Sequence, residues 1–296
     1  MYNGLCASTY SSEINMSEIT GILAISDGRV ILFFGLEQNA GRIVTVWTGA
    51  IIKNGIFVSN WEAFVKRSKA PLVRIMRTEI VSGRADLVRD AFMLVNKDPE
   101  ACLYSPNLVC VLSQSETDVV FTDCGDPSKV YHFPTKIDYK HLSTPRIKEI
   151  IHAVLVCSRA LGGETHIGSL SDANPMIQGD RVWVDLMQVC TTSELEKRKP
   201  GIYTPDIEVA SHTPIVADLV SLLWVFCYHM PEFHTPWTNF KGVMQTRELK
   251  QDFLDELCGG QFASTPAQYA IVEFASMLRV AGEDTLEKIS VWAKQM

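Results

Sequence analysis

Residues 143–163 read Ser-Thr-Pro-Arg-Ile-Lys-Glu-Ile-Ile-His-Ala-Val-Leu-Val-Cys-Ser-Arg-Ala-Leu-Gly-Gly, and the chain changes character there. Thr144 can cap a helix with its hydroxyl. Pro145 then stands at the first helical position, where a missing amide costs nothing and the fixed φ suits the helix. Ile147, Ile150, Ile151, Val154 and Leu155 recur on one face, Lys148, Glu149, His152 and Arg159 take the other, and Gly162-Gly163 supply a stop. Thr213-Pro214 and Thr265-Pro266 repeat the opening. The helix over 214–230 is apolar nearly all round and is expected to be the central buried one. Amphipathic helices over 246–258, 266–281 and 284–295 complete this half.

Upstream of residue 143 the pattern is that of strands. Gly21–Ser26 and Arg29–Gly35 flank Asp27-Gly28, and the apolar run 42–52 is joined to Ile56–Val58 through Asn54-Gly55. Asp-Gly and Asn-Gly tolerate the positive φ of a hairpin turn, so four strands in a meander are expected. Ser59-Asn-Trp-Glu62 has the form of a capping box opening a short helix to residue 68. A strand over 72–81, a helix from Ser82-Gly83 to Asn96 and a hairpin of 108–112 with 118–122 follow. The fold class expected is therefore α+β: a β-meander-rich N-terminal half with two helices (1–142) and a mainly α-helical C-terminal half (143–296).

Composition bounds the class. The chain has 296 residues, 47% hydrophobic and 21% charged, as ordered globular chains do, with a net charge of −7. Residues 1–142 hold 14 basic and 15 acidic side chains against 13 and 19 in 143–296, so the acidity belongs to the helical half. Eight cysteines are scattered through the sequence without the spacing of a disulfide framework, which suggests reduced thiols and a cytoplasmic setting. The first residues lack a basic start followed by an apolar core, so no secretory leader is expected. The longest apolar segment contains Asp218 and is too short to span a bilayer.

Catalytic and binding residues are sought against that background. Gly-x-Gly-x-x-Gly, Gly-x-x-x-x-Gly-Lys-Ser/Thr, His-Glu-x-x-His and Gly-x-Ser-x-Gly are all absent. Cys227, His229 and His234 lie within eight residues and could ligate a metal, although a structural site needs a fourth ligand. For thiol catalysis the candidates are Cys190, just after a strand, and Cys157 with His166. Lys66, Arg67, Lys69, Arg74, Arg77, Arg84 and Arg89, opposed by Glu79, Asp86 and Asp90, form a basic stripe that could neutralise phosphates.

The missing enzyme motifs, the stripe and the high apolar fraction together favour a self-assembling structural protein. A viral coat or nucleocapsid-type subunit is expected, homo-oligomeric and contacting RNA or single-stranded nucleic acid, with no cofactor and no membrane contact. A cysteine-dependent hydrolase and a monomeric binding module are the alternatives.

Overall fold

The computed structural model describes the backbone of seven strands between residues 21 and 123, and residues 84–105. It also describes residues 135–295 apart from 169, 187, 198–200, 206–212, 231, 240–242, 261, 281 and 283. The capping box at Ser59, the Asp-Gly and Asn-Gly turns and the linker 124–134 lie outside the described residues, as do Lys66, Arg67 and Lys69. What is described mixes α and β and is rich in helix. It divides into two units, residues 1–93 with 106–133 and residues 94–105 with 134–296.

The first unit holds one antiparallel sheet. Its strands are β1 (Gly21–Ala24), β2 (Arg29–Phe33), β3 (Gln38–Asn39), β4 (Val44–Lys53), β5 (Leu72–Glu79), β6 (Leu108–Gln114) and β7 (Thr117–Asp123). The order is β1-β2-β4-β5-β7-β6, with β3 also paired to β4. Consecutive β-branched and apolar residues suit such strands, and the register aligns Trp47, Ile75, Phe121 and Cys110 in one row across four of them. After β5 the chain forms helix α1 (Arg84–Lys97), returns as the edge strand β6 and folds inward as β7 beside β5. The 108–122 hairpin is legible in the sequence, whereas its insertion next to β5 is a long-range choice that local pattern does not encode.

In the second unit two buried helices form the frame. Helix α2 (Thr144–Leu161) buries eleven side chains, and the helix over Pro214–His229 buries ten. Short strand β8 (Thr135–Lys136) precedes α2, and β9 (Thr165–His166), β10 (Met176–Gln178), β11 (Arg181–Trp183) and β12 (Cys190–Thr191) lie between the two helices in sequence, followed by the five-residue helix α3 (Thr192–Glu196). The Pro214–His229 helix is then α4, and α5 (Val243–Cys258), α6 (Pro266–Arg279) and α7 (Thr285–Lys294) close the chain. Helix α2 packs against α4, α6 and α7, and α6 against α4 and α5. Each fully buried Leu, Ile or Phe in this core contributes about 1.5–3 kcal/mol.

Two details differ from the sequence expectation. Ser143, not Thr144, caps α2, its hydroxyl accepting from the Arg146 amide, whereas Thr213 and Thr265 cap α4 and α6 as their Thr-Pro pairs suggest. His152 is buried instead of solvated. Its Nε2 lies 3.1 Å from Glu100 Oε1 and its ring meets Tyr104 edge-on, so the polar face of α2 is covered by the segment after α1. Among the described residues no helix is long and apolar enough to cross a membrane.

Candidate functional site

Residues 162–192 form a cross-braced loop region of the second unit. Gly162 and Gly163, both at positive φ, end α2 and release the chain into β9. β9 pairs antiparallel with β12, setting His166 opposite Cys190, and the β10–β11 hairpin lies between them in sequence and pairs with β8. Gly168 has φ +79°, and a Cβ there would come within 2.4 Å of the Gln188 carbonyl and 2.9 Å of Cys190 Sγ. No other residue type fits that crossing.

Three polar anchors fix the loop. Asp218, on α4 and 4% exposed, accepts at Oδ2 from the Ser158 hydroxyl (2.6 Å) and from the Ile167 amide (3.1 Å), tying α2, α4 and the loop together. Asn174 clips the loop to Asp185, two residues past the hairpin. Its Nδ2 donates to the Asp185 carbonyl at 2.9 Å, and its Oδ1 accepts from the Asp185 amide at 3.0 Å. The Arg181 guanidinium donates to the Leu103 and Cys102 carbonyls and lies over the Trp183 ring, holding the hairpin to the segment after α1.

Beside the loop is a cleft of about 200 Å³, lined among others by Leu170, Leu195, Ile202, Tyr203, Asp218 and Ser221. Its wall at residues 201–204 is held from behind. Lys250 of α5 is fully buried, and its Nζ donates to the Gly201 and Thr204 carbonyls (both 2.9 Å) and to Thr204 Oγ1 (3.3 Å), with Trp224 and Trp237 at 5.9 and 5.8 Å. Hydrogen bonds to these oxygens offset part of the cost of burying the ammonium. Trp237 Nε1 donates to the Ile202 carbonyl at 3.2 Å.

Tyr203 and His229 meet at 2.6 Å between hydroxyl and Nε2, with Tyr139 stacked on the same imidazole. Burial pushes His229 below the ordinary histidine value and Tyr203 above the ordinary phenol value, so a neutral ring accepts the phenol proton. Because the folded pKa lies below the unfolded one of about 6.5, the unfolded chain takes up the proton first. Stability from this pair is therefore present above about pH 6.5 and is lost as pH falls below it. The denaturation midpoint is expected to drop between pH 7 and 5, and His229→Gln should flatten part of that slope; His152, also lowered by burial, carries another part. An unchanged slope in His229→Gln would contradict the pairing.

Of the residues singled out from sequence, Cys190 and His166 are cross-strand partners on β12 and β9, while Cys157 lies apart from them on α2. Cys190 is fully buried in β12, and Cys157 is fully buried in mid-α2 with its thiol pushed up by burial. Burial disfavours a thiolate at Cys157, and His166 Nε2 is directed to the Thr192 hydroxyl. Cys227 is core, with its thiol likewise pushed up, His229 is engaged by Tyr203, and His234 is exposed. Among the described residues no three His, Cys, Asp or Glu side chains cluster as metal ligands. Of the basic stripe, Arg74 and Arg77 stand three positions apart on β5, Arg84 opens α1, and Arg89 pairs with Asp86 (2.7 Å) and Asp90 (3.2 Å) at the surface. Asp218, Asn174 and Lys250 escaped the sequence reading. The signal for Asp218 was a carboxylate inside an otherwise apolar helix, which has to find buried donors.

No family model and no curated protein matches this sequence. In three dimensions the chain is similar to the solved structure of vaccinia related kinase 3, with a TM-score of 0.53 and 14% identity over 93% of this chain and 91% of that one. The likeness shows a protein-kinase-like fold. It overturns the expectation of a self-assembling viral coat or nucleocapsid subunit, and the buried thiols of Cys190 and Cys157 argue against the hydrolase alternative. The high apolar content that suggested subunit interfaces is used inside the chain, in cores such as those around α2 and α4.

Proposed function

We propose that this chain is a pseudokinase, a protein of kinase-like fold that does not transfer phosphoryl groups. In protein kinases the catalytic loop reads H-R-D-L-x-x-x-N and is followed by D-F-G; the first Asp is the base, and the Asn and the second Asp hold two Mg²⁺ ions. Neither string occurs here. The order His166, Asn174, Asp185 does run through the braced loop, and Ser169 stands five residues before Asn174, the spacing at which a kinase carries its base. A serine hydroxyl does not accept a substrate proton at neutral pH as a carboxylate does. Asp172, the carboxylate nearest in sequence, is exposed and bound to Lys136 at 2.6 Å.

The observation that carries the reading is the Asn174 clip. A metal-holding asparagine must turn its oxygen to the ion, whereas Asn174 is 4% exposed and turns Oδ1 to the Asp185 amide and Nδ2 to the Asp185 carbonyl. What remains to such a protein is recognition without transfer. Purified chain incubated with labelled ATP, Mg²⁺ or Mn²⁺ and a generic protein acceptor is expected to incorporate no phosphate, where active kinases turn over at about 1–100 s⁻¹. Ser169→Asp should not restore transfer, since Asn174 stays committed. Incorporation by either protein at a kinase-like rate would overturn the reading.

A further inference from the structure

His166 Nδ1 and Asp218 Oδ1 face each other beside the cleft without a hydrogen bond. The Thr192 hydroxyl donates its single proton to the Glu164 carbonyl (3.1 Å), so at its 3.1 Å contact with His166 Nε2 it accepts, and Nε2 carries the hydrogen. His166 Nδ1 is buried without a hydrogen-bond partner and faces Asp218 Oδ1 at 3.7 Å. Asp218 Oδ2 is already satisfied by Ser158 and Ile167, so Oδ1 is the oxygen open to a ligand.

Asp218 also lines the cleft. Leu170, Leu195 and Ile202 give it apolar walls, the Tyr203 ring adds an aromatic face, and Ser221, three residues after Asp218 on α4, makes no hydrogen bond among the described residues. The 201–204 wall is held by Lys250 and Trp237, so the shape exists before any ligand arrives. We propose that this cleft binds a small alkylammonium group, either a free amine or a lysine side chain. The ammonium meets Asp218 Oδ1, and the alkyl chain lies against Leu170, Leu195 and Ile202. An anion is disfavoured because Asp218 places a carboxylate on the lining, and the nearby Lys250 ammonium donates to Gly201 and Thr204 oxygens. A divalent metal would need several further oxygen ligands, which the apolar walls do not offer.

The test uses the full chain, with 1-aminobutane, 1-butanol and N-acetyl-lysine methylamide as probes. Binding is followed by titration and by the imidazole nitrogen resonances of His166. 1-Aminobutane is expected to bind and to shift His166, with 1-butanol weaker by about tenfold or more, since it lacks the charge. Asp218→Asn keeps an acceptor for Ser158 and Ile167 and offers His166 a donor, so it should fold and lose the amine. Leu195→Trp fills the cleft without touching Asp218 and should weaken the amine by a similar factor, with Ser221→Phe as the substitute if that variant does not fold. Equal binding of amine and alcohol, no binding of the amine by the unaltered protein, or full binding by Asp218→Asn or Leu195→Trp would overturn the proposal. Binding of the blocked lysine identifies a peptide source, and its exclusion with retention of 1-aminobutane identifies a free amine; both support the site. None of these readouts depends on whether the chain transfers phosphate.

Discussion

Lys250→Met is expected to destabilise the protein by about 2–4 kcal/mol, even though it removes a buried charge. The sign needs argument, because exchanging buried ionic groups for apolar ones is often neutral or stabilising. That outcome requires that nothing polar be left behind. Here the partners of the ammonium include the Gly201 and Thr204 carbonyls and the Thr204 hydroxyl, and methionine would leave those oxygens facing Trp224 and Trp237. Losing two or three hydrogen bonds to a charged donor, at about 1.5–3 kcal/mol each, outweighs the recovered desolvation. Urea unfolding should show a lower midpoint with an unchanged slope, and hydrogen exchange should quicken at the amides of residues 202–204. Lys250→Arg should not rescue it, because a planar guanidinium cannot place three donors where a compact ammonium does. Wild-type stability in Lys250→Met would mean the clamp contributes nothing net.

Asp218→Leu is expected to be more damaging, about 3–6 kcal/mol, and to prevent folding if the margin is ordinary. Leucine resembles aspartate in shape but abandons the Ser158 hydroxyl and the Ile167 amide, both buried, so two donors lose their acceptor at once. Asp218→Asn retains an oxygen for both and should lose far less. Comparing the two by thermal unfolding separates the cost of a missing acceptor from that of a missing charge. Equal stabilities would contradict the anchoring role.

The helices of the second unit were largely legible because their determinants are local: Thr213-Pro214, Thr265-Pro266 and the all-round apolarity of α4 each act within a few residues. The site was not. Its anchors join residues far apart in sequence, Ser158 to Asp218, Asn174 to Asp185, Lys250 to Gly201, through single polar contacts that leave no periodic trace. Asp218 registered in the sequence only as an interruption of an apolar helix, and Lys250 only as a polar position on an amphipathic one. The cysteines drew attention through their chemistry, yet burial governs Cys157 and Cys190. The kinase-like fold left no motif to find, since neither H-R-D-L-x-x-x-N nor D-F-G occurs in the sequence.

On the proposed reading, Asn174 is a structural clip and not a metal holder. The most direct measurement is the nuclear magnetic resonance signal of the Asn174 carboxamide as Mn²⁺ and ATP are added to the full chain, because a paramagnetic ion broadens any group that ligates it. The clip predicts a carboxamide protected from exchange and unbroadened at stoichiometric Mn²⁺-ATP. Selective loss of the Asn174 signal, with release of the Asp185 amide from protection, would show a working metal site and contradict the pseudokinase reading.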